Sequence, residues 1–161
     1  MKLAVCPGSF DPLHHGHVEI ITRATKIFSD GVIVAVSHNP AKTYRFSLEE
    51  RLEMVREVFS FLDGVSVEPM GEGLLAEFAR ERNAHAILKG LRDPKDYLYE
   101  APMATMNRSL TGVETVFLAG DPKYGHLSSS LIKEVASLGG DITDQVPFTV
   151  AQHLGQSGAA R

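Results

Sequence analysis

Residues 3–17 read "LAVCPGSFDPLHHGH": an apolar run that breaks on Pro7 and Gly8 and then delivers three histidines, His14, His15 and His17. "VEIITRATKIF" (18–28) follows, and in 17–28 Ile20, Ile21, Ala24, Ile27 and Phe28 recur at helical spacing. A short apolar strand, a turn rich in Gly and Pro, and an amphipathic helix make the opening of an α/β unit. Such a turn lets backbone N–H groups approach an anion, and the dipole of the helix behind it adds to the attraction. Gly16 permits close approach beside His17, which falls in the first turn of the predicted helix. The loop fits neither GxGxxG nor GxxxxGK[ST], so a standard dinucleotide fingerprint and a P-loop are both unsupported. The same residues also fit a plain Pro/Gly turn with solvated histidines. A zinc reading of the histidines is weaker, because no second ligand cluster accompanies them.

The unit recurs along the chain. Apolar runs stand at "LAVC" (3–6), "VIVAV" (32–36), "VSV" (65–67), "AIL" (86–88) and "VFLA" (116–119). Most are continuous rather than alternating, as in strands buried on both faces of a parallel sheet. The second helix opens with "SLEE", where Ser47 and Glu50 make a capping box ahead of the stripe Leu48, Leu52, Val55, Phe59 and Leu62. Further helices are expected over 73–82, over 94–110 and from "SSSLIKEVA" onward, and Pro102 should kink or divide the helix of 94–110. "DITDQVPFTVAQHL" reads as a loop and a last helix, and residues 155–161 as a frayed tail. Strand and helix alternate throughout. The expectation is one α/β domain over 1–161, built on a doubly wound five-stranded parallel sheet of Rossmann-like type.

The 161 residues, 43% hydrophobic and 22% charged, suit a single soluble globular domain with a real core. A net charge of −4 argues against a protein that binds nucleic acid through a broad basic surface, while leaving room for a local cationic pocket. Cys6 is the one cysteine, which excludes a disulfide framework and a thiolate zinc site. No secretory h-region and no membrane-length apolar run is present, so no membrane role is expected and the chain reads as cytoplasmic.

In open α/β sheets, ligands bind beyond the carboxyl ends of the strands. The segments in that position are "PGSFDPLHHGH", "SHNPAK", "EPMGEGLL", "KGLRDPKD" and "GDPKYGHLSSS". They hold most of the unusual chemistry of the chain, and that clustering points to a working site.

The His14-x-Gly16-His17 element resembles the signature of the HxGH/TxGH nucleotidyltransferase superfamily. "NPAKTYRFSLEER" (39–51), "KGLRDPKDYLYE" (89–100), "MNR" (106–108) and "LSSSLIKEVA" (127–136) are similar, in order and approximate spacing, to bacterial phosphopantetheine adenylyltransferases. The resemblance implies transfer of AMP from ATP to 4′-phosphopantetheine, giving dephospho-coenzyme A and pyrophosphate. The nucleophile would be a phosphate monoester with a second pKa of about 6, which needs no general base. The reaction needs positioning and cations to gather two anions and stabilise charge at the α-phosphate.

By the same resemblance His17, Lys42 and Arg92 would be catalytic, with His17 stabilising the transition state. Ser9 and the backbone at Phe10 would hold phosphate groups of both substrates. Gly90, Leu91, Arg92 and Glu100 would line the ATP site, completed by Tyr124, Gly125, His126, Leu127 and Ser128 to Ser130. The helix N-terminus at those serines would receive the β- and γ-phosphates. Lys42 and Lys89 would grip the phosphate of phosphopantetheine, and its arm would lie near Leu74 or Leu75 and near Met106 and Asn107. No metal cage is evident, so Mg²⁺ would arrive on ATP. A homohexamer and feedback by coenzyme A are also implied.

Taken singly, Lys42 and Arg92 also fit loop cations, Glu100 a solvated helix face, the serines a simple cap, and Leu74, Leu75 and Met106 the core. Lys89 stands where the family more often has arginine, which keeps the charge and loses the bidentate fork. Two other functions share parts of the pattern. One is another HxGH enzyme, a nicotinate-mononucleotide adenylyltransferase or a cytidylyltransferase. The other is a non-catalytic ATP-binding sensor.

Overall fold

The computed structural model describes residues 2–156. Five strands form one all-parallel sheet: β1 (Leu3–Gly8), β2 (Gly31–Val36), β3 (Val65–Pro69), β4 (Ala86–Leu91) and β5 (Glu114–Ala119). Their order is β3-β2-β1-β4-β5. The chain therefore builds outward from β1 in one direction, returns, and builds outward in the other. The reversal lies between β1 and β4, where two carboxyl ends part and leave a crevice. Each strand begins within about two residues of the apolar run that predicted it, and β1 and β4 extend into the glycine-bearing turns.

Both faces of the sheet are covered, and the alternation of the strands shows how. Val32, Val34 and Val36 of β2 join a large cluster with Ala4 and Cys6 of β1, while Ile33, Ala35 and Val5 join a smaller one. The large cluster is closed by α1 (His15–Ala24), α2 (Leu48–Phe59), α5 (Ser129–Ser137) and α6 (Phe148–His153). The smaller cluster is closed by α3 (Leu75–Glu81), and α4 (Pro94–Thr111) packs on α3 and on β5. A 3-10 turn (Pro122–Tyr124) leads from β5 toward α5.

Both ends of α1 and the course of α4 differ from the sequence reading. Helix α1 starts at His15 rather than 17, because His14 caps it, and it stops at Ala24. Beyond that, Lys26 and Ile27 N–H groups turn back three residues, to Arg23 and Ala24, which tightens the last turn out of α-geometry. Helix α2 begins as expected, with Ser47 and Glu50 bonding each other's backbone N–H groups. Helix α4 runs unbroken through Pro102, so the expected division does not occur. Leu98 and Pro102 are both exposed, so the Leu98 carbonyl that loses its N–H partner lies on the outer side of the helix and not in the core. Of the stretch expected to fray, Gln156 is tied down: its side chain accepts from Ile142 N–H and donates to the Gly140 carbonyl. Residues 157–161 lie outside the described residues.

Candidate active site

At the parting of β1 and β4 lies a cavity of about 350 Å³. Its walls are the ends of those two strands, the first turns of α1 and α4, and the start of α5.

The histidine turn forms one wall and is more tightly built than a solvated loop. His14 is the N-cap of α1, and its Nδ1 accepts the Gly16 N–H at 3.1 Å. In return His17 Nδ1 accepts the His14 N–H at 3.1 Å. The pair is a capping box made of two imidazoles, with their rings stacked 3.7 Å apart. Gly16 is needed because a Cβ there would stand 2.9 Å from the His14 ring. An N–H donor on each Nδ1 leaves the ring proton on Nε2, so each neutral histidine carries a donor on that atom.

Burial is the main reason both stay neutral. It brings His14 down to about 4, with the charges of Arg92 and His15 adding to the effect. It holds His17 well below the ordinary range, helped by His14, Arg92 and Lys89. Phe10 packs edge-on against the His17 ring, centroids 5.0 Å apart, from a backbone with φ of 47°. Cys6 also faces the cavity, but burial pushes its thiol up to about 12, so it offers no thiolate.

The opposite wall is charged. Arg92 forms a fork with Asp96 at 3.1 and 3.2 Å and donates to the Leu127 carbonyl at 2.7 Å, so its guanidinium is held between α4 and the start of α5. Donating to the Asp96 carboxylate raises Arg92 above its usual range. Lys89 pairs with Glu100 at 3.2 Å across the cavity wall. At α5, Ser128 caps the helix through the Leu131 N–H and Ser129 donates to the Pro12 carbonyl. The N–H groups of Ser129 and Ser130 belong to the uncapped part of that first turn.

Of the residues singled out from sequence, the cavity brings together Phe10, His17, Lys89, Gly90, Leu91, Arg92, Glu100, Tyr124, Leu127, Ser128 and Ser129. Gly125 and Ser130 sit beside it in the chain. His126 turns to Gln145, 3.1 Å away. Ser9 lies at the end of β1, its hydroxyl 3.5 Å from that of Ser37. Lys42 is exposed on the segment between β2 and α2. Leu74 and Met106 are exposed, Leu75 packs into the smaller core cluster, and Asn107 is buried in α4. The core reading of Leu74 and Met106 is thus corrected, and that of Leu75 holds.

Three residues that organise the site were missed. His14 was visible without a role, and only its buried cap geometry supplies one. Asp11 accepts the N–H groups of Arg45 and Phe46, each at 2.9 Å, and Lys133 Nζ at 3.0 Å. Burial pushes its carboxyl up, but these donors together outweigh that and hold it below the usual range. Arg51 is wholly buried in the apolar face of α2. An arginine beside the stripe positions Leu48, Leu52 and Val55 was the signal for it.

A family model, cytidylyltransferase-like, matches residues 5–135. The chain is 64% identical over 154 residues to the phosphopantetheine adenylyltransferase of Paenarthrobacter aurescens, covering 96% of this chain and 92% of that one. A relative of the same name from Caldanaerobacter subterraneus is 49% identical over 155 residues, covering 96% of each. The chain belongs to the phosphopantetheine adenylyltransferases. This family makes it a nucleotidyltransferase of the cytidylyltransferase-like group, as the HxGH element and the four further blocks led one to expect. A crystal structure described as a putative nicotinate-nucleotide adenylyltransferase, from Vibrio parahaemolyticus, superposes with a TM-score of 0.69. It is 20% identical and covers 97% of this chain and 100% of that one, a likeness of fold alone.

Proposed function

We propose that the protein transfers AMP from ATP to 4′-phosphopantetheine, giving dephospho-coenzyme A and pyrophosphate. The observation that carries this reading is the His14–His17 pair: a neutral His17 whose Nε2–H is fixed as a donor beside the cations of a cavity.

The phosphate oxygen of phosphopantetheine attacks the α-phosphorus of ATP in line. A P–O bond forms there as the bond to the β-phosphate oxygen breaks, and pyrophosphate leaves. The nucleophile is largely dianionic at neutral pH, so no proton has to be removed. His17 donates from Nε2 to the α-phosphate as charge builds, without itself needing to ionise. Arg92 and Lys89 supply the positive field around the nucleotide, and the first turn of α5 receives the outer phosphates. Ser9 and the Phe10 backbone contact phosphates of both substrates.

Gly90, Leu91, Glu100 and the turn from Tyr124 through His126 to Leu127 hold the nucleoside and phosphates of ATP. Lys42 and Lys89 receive the acceptor phosphate, and its arm lies toward Leu74, Leu75, Met106 and Asn107. Mg²⁺ enters as part of the substrate, Mg·ATP. Among the described residues no group of three or more His, Cys, Asp or Glu could hold a metal of the protein's own.

The same membership supports a homohexamer, restraint by coenzyme A and a cytoplasmic site of action. Leu98, Tyr99, Met103 and Leu110, exposed on α4, suit burial between subunits. Among the described residues no helix is long and apolar enough to cross a membrane.

The test is pyrophosphate release from Mg·ATP with 4′-phosphopantetheine, with nicotinate mononucleotide and with no acceptor. Release with phosphopantetheine alone is the expected result. Release with the mononucleotide, or ATP binding with no release at all, overturns the reading.

A further inference from the structure

Among the described residues no carboxylate pairs directly with the Arg51 guanidinium, although the charge of Asp11 acts on it. Its Nη1 donates to the carbonyls of Ser9 and Ser37, at 2.8 and 2.7 Å. Its Nε donates to the Phe46 carbonyl at 3.2 Å, and Nη2 meets His38 Nδ1 at 2.8 Å. Since arginine only donates, His38 Nδ1 is the acceptor. Ser9 begins the turn after β1, Ser37 and His38 follow β2, and Phe46 precedes the cap of α2. One buried fork thus joins two loops at the carboxyl edge of the sheet.

Asp11 completes the arrangement from the other side by accepting the N–H groups of Arg45 and Phe46. The segment 38–46 is therefore anchored at both ends while its middle, including Lys42, stands in solvent. A further chain of contacts reaches that middle. The Tyr44 ring lies over the Arg51 guanidinium, 4.1 Å from centroid to Cζ. The Tyr44 hydroxyl accepts the Asn39 N–H at 2.8 Å, and the Asn39 carbonyl accepts the Lys42 N–H at 2.9 Å.

We infer that Arg51, through Tyr44, is a positioning residue that sets Lys42 against the phosphate-binding turn after β1, and so governs binding of the anionic acceptor. The inference rests on the role of Lys42 proposed above. It says more than that Arg51 stabilises the fold. Arg51 itself also holds the Ser9 carbonyl, beside both substrates, whereas Tyr44 touches only the segment on the acceptor side, so Tyr44 separates the positioning role from a general scaffold role.

The experiment uses the full chain with Arg51→Lys, which keeps the charge and loses the fork, and Tyr44→Leu, at a half-buried position where folding is easily retained. Circular dichroism and thermal melting check the fold. Hydrogen exchange of residues 38–46 is measured without ligand, and KM is measured separately for phosphopantetheine and ATP. Each variant is expected to speed exchange in 38–46 and to raise the acceptor KM by about tenfold, and Tyr44→Leu, which leaves the Arg51–Ser9 bond in place, should keep the ATP KM within about twofold. In a Lys42→Ala background Tyr44→Leu should raise the acceptor KM no further, since both act through one contact. Unchanged exchange in 38–46, or equal rises in the two KM values for Tyr44→Leu, overturns the inference. If Lys42→Ala leaves the acceptor KM alone while exchange in 38–46 still rises, the proposed role of Lys42 has failed and the anchoring by Arg51 stands.

Discussion

Two loops at the same edge of the sheet are built in opposite ways. In the turn after β1, His14 is buried, His17 is half-buried at the cavity wall, and each ring accepts a backbone N–H, so orientation and tautomer are both set before any ligand arrives. In the segment after β2 the Lys42 side chain stands exposed; Arg51 and Asp11 hold the ends of the segment, and its middle is held only through Tyr44 and the backbone of Asn39. A group that stabilises a transition state gains from being fixed, because nothing has to reorganise when charge develops. A group that captures a diffusing anion gains from reach. The contrast suggests a division of labour between chemistry in the first loop and selection of the acceptor in the second.

The sharpest way to break that division is His17→Ala. Turnover should fall by about 10²-fold or more with ATP affinity nearly unchanged, read from kcat and a nucleotide titration. Near-normal turnover in a folded variant would remove His17 from the chemistry.

The next effect is on stability in acid. His14 titrates near 6.5 when unfolded and near 4 when folded, so below 6.5 the unfolded chain binds more protons. Stability is full above that value and declines as pH falls toward 4, by on the order of 3 kcal/mol from this group alone. His14→Thr keeps a side-chain cap without the titration. Its urea midpoint should fall less steeply than that of the natural protein between pH 6.5 and 4, and parallel slopes would refute the cause given.

Lys42→Ala should then raise the acceptor KM by about tenfold with a smaller change in kcat, the reverse of the His17 pattern. A defect confined to ATP would place Lys42 on the wrong substrate. The smallest effect lies away from both loops. Pro102→Ala should stabilise the protein by about 1 kcal/mol with kinetics unaltered, because α4 already runs unbroken there and an N–H at 102 restores the bond to the Leu98 carbonyl. Loss of acceptor binding would show that the proline shapes the site.

How far the sequence reveals this molecule follows from the range of the forces involved. Strands buried on both faces announce themselves as apolar runs, and Ser47 with Glu50 announces a helix start through contacts three residues apart. The carboxyl-edge rule then locates the cavity with no further information. What the sequence hides is set by contacts distant along the chain. Arg51 meets Ser9 across 42 positions, and Asp11 meets Lys133 across 122. No periodicity carries such pairings. Leu74 and Met106 mislead for a related reason: helical spacing marks a face, and only tertiary packing decides whether that face is covered.

The most direct test of the central claim is ¹⁵N NMR of the His17 imidazole in the ligand-free protein from pH 5 to 8. A preorganised donor predicts an unprotonated Nδ1, a protonated Nε2 and no titration across that range. A proton on Nδ1, or an imidazolium forming near pH 6.5, would contradict it.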